Sequence, residues 1–173
     1  IKDISSEETT DIGGVIGGTY GLVHIQDCTN YGDIQVNTSW IGGITGEITI
    51  GTINNCTNYG DITGNYHVGG IAGQILWETT TATDFGEINN CINEGKIETK
   101  GYELFNSFWQ GAAHTMNTSS VGGIVGRTVH GKVNLCKNKG TVLNASYEGA
   151  GGIVGISLCN SYIIKCSNYA NID

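Results

Sequence analysis

Residues 53–62 read INNCTNYGDI, and residues 25–34 read IQDCTNYGDI, almost the same ten letters. The pattern returns as INNCINEGKI (88–97), VNLCKNKGTV (133–142) and IIKCSNYANI (163–172). A second motif alternates with it: IGGVIG (12–17), IGGITG (41–46), VGGIAG (68–73), VGGIVG (121–126) and AGGIVG (150–155). The first glycine of each pair falls at 13, 42, 69, 122 and 151, so four units share a length of about 28 residues and the third is enlarged. The extra residues lie near 78–85 (ETTTATDF) and within 99–120.

A recurrence of this length marks stacked supersecondary units. The apolar positions are Ile and Val in short segments between Gly and Asn, which is strand composition. At ~3.3 Å per residue, one unit holds three short strands joined by turns, expected in the first unit near 12–17, 25–29 and 33–37. Successive coils then stack as parallel strands about 4.8 Å apart, with the right-handed crossover that parallel connections favour. The expected fold is all-β: a parallel β-solenoid of about five coils over residues 12–173. Residues 1–11, polar and outside the repeat, form an N-terminal tail or cap. Units recur because their packing environment recurs.

Each repeated column has a structural reading. Cys28, Cys56, Cys91, Cys136 and Cys166 lack C-x-x-C spacing and in-register His, so they read as small buried core fillers, not metal ligands. Disulfides between stacked neighbours have strained geometry; Cys159, outside the column and seven residues from Cys166, is the one candidate for a local bridge. Asn30, Asn58, Asn93, Asn138 and Asn168 form a polar ladder at a turn. The glycines that follow, Gly32, Gly60, Gly95 and Gly140, suit a positive-φ corner, and Ala170 replaces them in the last unit.

Other residues carry candidate chemistry. Asp33 and Asp61 would stack in adjacent coils, where two carboxylates are weak calcium or acid–base candidates. The plain alternative for these carboxylates is a solvated corner. Tyr31 and Tyr59 stack likewise, as two exposed aromatics suited to sugar, until Glu94 and Lys139 break the column. Within 101–116, Leu104, Phe105, Phe108, Trp109, Ala112, Ala113 and Met116 fall at helical spacing, so a short amphipathic helix is expected in the third unit. That stripe either packs on the solenoid or, with Trp77, Tyr102, Phe108 and Trp109, exposes an aromatic patch for a host protein or glycan.

Composition narrows the function classes. Eight basic residues against sixteen acidic ones give a net charge of −8, which argues against nucleic acid and anionic membrane surfaces. No stretch approaches the ~18 apolar residues of a membrane-spanning helix. The polar opening IKDISSEETT is no cleavable signal, so the chain reads as a mature or excised fragment, with any targeting segment outside it. Gly is 28 of 173 residues and Pro is absent, as in a chain of tight turns whose backbone N–H groups are all needed.

VGGIAG and VGGIVG, each followed by segments of the INNCTNYGDI type, resemble GLUG-type repeats of large bacterial surface proteins, some associated with immunoglobulin A-cleaving metalloproteases. The resemblance spans about residues 12–172. It implies a bacterial cell-surface or secreted setting and a β-solenoid stalk or adhesin part. It does not imply proteolysis, because the zinc motif H-E-x-x-H is absent. No catalytic set and no cofactor are expected, and the leading reading is a non-catalytic display or adhesion module. The rival is a polysaccharide lyase or hydrolase; an ice-binding solenoid would want flat Thr ladders, whereas Thr79, Thr80, Thr81 and Thr83 cluster in one insertion. A solenoid end without a cap exposes sheet edges, so a longer chain or another chain is expected to cover it.

Overall fold

The computed structural model describes residues 2–4, 11–76, 85–100, 119–144 and 149–173. All regular structure among them is β, and every strand pairing is parallel. The expected helix over 101–116 lies outside the described residues.

Each unit is divided among four sheets, not the three strands read from the repeat. A glycine sheet takes Ile12–Gly13, Ile41–Gly42, His67–Gly69, Ser120–Gly122 and Gly149–Gly151. A long sheet begins with Ile16–Gln26 and Thr45–Asn54. An asparagine sheet takes Thr29–Asn30, Thr57–Asn58, Ile92–Asn93, Lys137–Asn138 and Ser167–Asn168. A closing sheet takes Ile34–Val36, Ile62–Gly64, Ile97–Thr99 and Val142–Asn144, and Lys2–Ile4 adds a strand beside Ile34–Val36.

The difference arises at the residue before each cysteine. Asp27, Asn55, Asn90, Leu135 and Lys165 all have φ between 52° and 55°, so a left-handed residue breaks the strand between the long and asparagine sheets. The glycines expected at a positive-φ corner do not take that conformation; the only glycines with positive φ among the described residues are Gly21 and Gly51. Gly60, Gly95 and Gly140 are needed for a different reason. A Cβ on each would run into the carbonyl of the glycine one layer earlier: Gly32, Gly60 and Gly95 in turn.

The register is the one the repeats demand. Ile53 pairs with Ile25 and Ile88, and Val133 with Ile88 and Ile163. Ile41 pairs with Ile12 and Val68, and Val121 with Val68 and Ala150. These rows feed two apolar clusters. The larger gathers Ile44, Ile48, Ile53, Ile71, Ile75, Ile88 and Ile124 with the central cysteines. The smaller holds Ile34, Ile41, Ile62, Val68, Ile97, Val121 and Val142. β-Branched side chains suit these rows because χ1 is already restricted, and burying each Ile contributes roughly 1.5–3 kcal/mol.

In the third unit the long strand comes as two pieces, Ala72–Leu76 and Gly86–Asn89, both registered on the unbroken Thr45–Asn54. The next two units repeat the division, as Val125–Val129 with Lys132–Asn134 and Val154–Leu158 with Tyr162–Ile164. The second insertion leaves after Ile97–Thr99 in the closing sheet and returns at Ser120–Gly122 in the glycine sheet.

Candidate functional site

The asparagine row is completely hydrogen-bonded through the stack. Asn30 Nδ2 donates to Asn58 Oδ1, Asn58 to Asn93, Asn93 to Asn138 and Asn138 to Asn168, each at 2.8 Å. Each Nδ2 also donates to the carbonyl two residues on, from Gly32 through Gly60, Gly95 and Gly140 to Ala170, again at 2.8 Å. Asn58, Asn93 and Asn138 are fully buried, where an unpaired amide would cost about 1–3 kcal/mol. From Asn30 to Asn138 both Nδ2 hydrogens are spent within the stack, while the exposed Asn168 donates only to the Ala170 carbonyl.

The cysteines stack as free thiols. Each Sγ donates to the carbonyl two residues earlier at 3.3 Å, and Cys56 N donates to Cys91 Sγ at 3.4 Å. Cys56, Cys91 and Cys136 are buried, and Cys28 and Cys166 half-buried. Hydrogen bonds to Cys136 and Cys56, together with burial, push the Cys91 thiol up and keep it protonated. The bridge considered between Cys159 and Cys166 is not formed: both are free thiols, and Cys159 is exposed. Among the described residues, no three His, Cys, Asp or Glu side chains gather as a metal site.

Asp33 and Asp61 occupy successive layers, and their carboxylates face backbone. Asp33 Oδ1 accepts the N–H of Asp61 at 2.9 Å, and Asp61 Oδ1 accepts that of Lys96 at 2.8 Å. They line a shallow groove of about 390 Å³ with Gln35, Thr63, Lys96 and Glu98. Mixed charge prevails there, since Lys96 pairs with Glu98 at 3.1 Å. Close by in sequence, Tyr31 and Tyr59 stack with ring centroids 5.2 Å apart and an interplanar angle of 5°. They are 77% and 47% exposed, so this pair is a genuine surface feature. Later in the column, Lys139 and Glu94 form an ion pair at 2.8 Å, which replaces aromatic stacking with charge.

A buried polar group escapes sequence reasoning altogether. Glu47, Gln74 and Arg127 share one row of the long sheet, and Gln74 Nε2 donates to Glu47 Oε2. Glu47 and Gln74 are buried, as are His67 and Ser120 on the glycine sheet. His67 Nδ1 lies 2.9 Å from Ser120 Oγ, which donates to the Gly126 carbonyl at 2.8 Å. A serine beside a histidine is the pairing of a nucleophile and its base, but here the hydroxyl proton is committed to backbone. Burial, then the nearby Arg127 charge, lowers the His67 pKa to about 3, so the imidazole stays neutral. This pair ties neighbouring elements together. The Glu47–Gln74 row runs Gly18, Glu47, Gln74, Arg127 and Ile156, and the His67–Ser120 row continues to Gly149, so no repeated letter marks either.

Trp77, Tyr102, Phe108 and Trp109, the proposed aromatic patch, lie outside the described residues. No protein-family model, curated protein or solved structure matches the chain.

Proposed function

We propose that the chain is a non-catalytic module of a bacterial surface or secreted protein, built as a right-handed parallel β-solenoid of five coils and used for display or adhesion. One observation carries this reading: the polar residues that recur along the chain are spent on bonds between layers. The Asn amides bind one another and backbone, and the Asp33 and Asp61 carboxylates accept the amide of the next layer. Side chains used this way build a rod and leave its flanks for recognition. The likeness to GLUG-type repeats supports the same setting.

A second reading is glycan binding, favoured by the exposed Tyr31–Tyr59 stack. Aromatic faces with nearby hydrogen-bonding groups suit sugar rings. The test is a glycan array and a host-protein pulldown on three proteins: the full chain, a variant lacking 99–120, and Tyr31→Ala/Tyr59→Ala. Binding lost with the deletion assigns adhesion to the insertion, and binding lost with the tyrosine variant assigns it to the corner. Turnover of a polysaccharide that disappears in Asp33→Ala or Asp61→Ala would replace the proposal with an enzyme.

A further inference from the structure

Two outward rows frame the groove on the closing sheet, and the stack builds both. Ile34 and Val36, Ile62 and Gly64, and Ile97 and Thr99 are buried, so Gln35, Thr63 and Glu98 between them point outward. These three lie in register, and the apolar Leu143 follows Glu98 in the next layer. Asp33, Asp61 and Lys96 form the second row, fixed by the carboxylate-to-backbone bonds that join their layers. Neighbours within a row stand about 4.8 Å apart, one layer spacing. The groove between the rows holds about 390 Å³, a volume within the ~300–1,000 Å³ of small-ligand clefts.

The lining selects among sugars by charge. Asp33, Asp61 and Glu98 only accept, Lys96 and Lys100 only donate, and Gln35 and Thr63 do both. The signs are interleaved: Lys96 pairs with Glu98 at 3.1 Å, and Lys100 Nζ lies 3.5 Å from Asn37 Oδ1. A uronate or sialate carboxylate would meet three like charges here, and an ammonium group two. A hydroxyl both donates and accepts, so it suits either wall. Vicinal hydroxyls can bond a carboxylate and an amide side chain at once.

The tyrosine pair has a different part to play. With centroids 5.2 Å apart and planes within 5°, the two rings cover each other's facing surfaces, and no sugar ring fits between them. Tyr31 and Tyr59 precede Asp33 and Asp61 by two residues in the same layers. They therefore offer ring edges as a rim beside the groove.

We propose that this groove is the binding site for a short uncharged oligosaccharide, held through vicinal hydroxyls by Asp61, Thr63 and Gln35, with Tyr31 and Tyr59 as its rim. The inference rests on the glycan-binding reading, and it moves the contact from the tyrosine faces to the groove.

The test is calorimetric titration of the full chain with neutral gluco-, galacto- and manno-oligosaccharides, and with sialylated, uronate and amino-sugar ligands of like length. A neutral ligand is expected to bind 1:1, with an affinity that salt leaves unchanged. Asp61→Asn keeps an acceptor for the Lys96 N–H but removes the charge, and should weaken binding at least about tenfold. Thr63→Arg fills the groove from an outward position and should abolish binding. Tyr31→Ala/Tyr59→Ala removes only the rim and should cost less than about tenfold. Thermal midpoints identify the folded variants; should Thr63→Arg not fold, Asp61→Asn decides. Binding of no glycan at all would overturn the glycan reading and this site with it. Three results would leave that reading standing and overturn the groove: preference for a charged sugar, steep loss of affinity with salt, or full binding by folded Thr63→Arg or Asp61→Asn.

Discussion

Gly14 faces the side chain of Asn30 so closely that a Cβ on the glycine would stand 2.6 Å from Asn30 Cγ. The same pairing recurs as Gly43 with Asn58, Gly70 with Asn93, Gly123 with Asn138 and Gly152 with Asn168. The two sequence motifs, some sixteen residues apart in the first unit, are therefore halves of one contact. The glycine turn provides the floor on which the amide row is laid.

Gly70→Ala should destabilise the protein by about 3 kcal/mol, since the added methyl meets both the Asn93 amide and the Gly123 carbonyl. Gly32→Ala, in the first layer with no layer beneath it and with only an ordinary 3.6 Å contact for its Cβ, should cost under about 1 kcal/mol. Chemical denaturation of the two variants checks the contrast; equal losses would refute it.

The cost of cutting the amide row should depend on depth. Asn93→Ala removes the acceptor of Asn58 and the donors to Gly95 and Asn138, and should cost about 3 kcal/mol or more. Asn168→Ala, at the exposed edge, should cost about 1 kcal/mol. Urea midpoints of the two variants give the comparison.

Leu135 has φ of 55°, a conformation that disfavours a Leu side chain, while Asn55 and Asn90 occupy the same place in their own units. Leu135 is exposed, so Leu135→Asn should stabilise by about 0.5–1 kcal/mol with little loss of packing. A thermal midpoint that falls would show that Leu135 packs more than it strains.

His67 makes stability depend on acid. Its pKa falls from 6.5 to about 3 on folding, so the folded state disfavours the proton that the unfolded state accepts. The contribution is complete above pH 6.5 and declines as pH falls towards 3. Each pH unit within that window is about 1.4 kcal/mol, or about 2 kcal/mol by pH 5. The same window contains the carboxylates, so the informative measurement is the difference in slope between the protein and His67→Gln from pH 7 to 4. Parallel slopes would mean that the imidazole is hydrated in the folded state.

Thiol labelling should follow burial: Cys159 first, Cys28 and Cys166 next, and Cys56, Cys91 and Cys136 only on unfolding. Mass mapping of alkylated peptides reads the order directly.

Residue repetition made the rows of Cys and Asn legible, because a side chain that meets its own copy is written as the same letter. It could not divide the unit correctly. Asp27, Asn55 and Asn90 carry the letters of a left-handed break, but Leu135 and Lys165 disguise the column. Repeated glycine was visible while its cause was not: Gly60 and Gly95 answer to a carbonyl in the layer below, and short-range turn rules do not register that. Glu47, Gln74, His67 and Ser120 were invisible because their burial comes from the surroundings and not from their own type.

The long strand is interrupted after Leu76, resumes at Gly86, and both pieces remain aligned on Thr45–Asn54. Contour length added at that seam is thus decoupled from the rise of the rod. A grafted epitope, affinity tag or small enzyme inserted between Val129 and Lys132, where the following unit has the same seam, would ride outside the stack without shifting any residue from the partner beneath it.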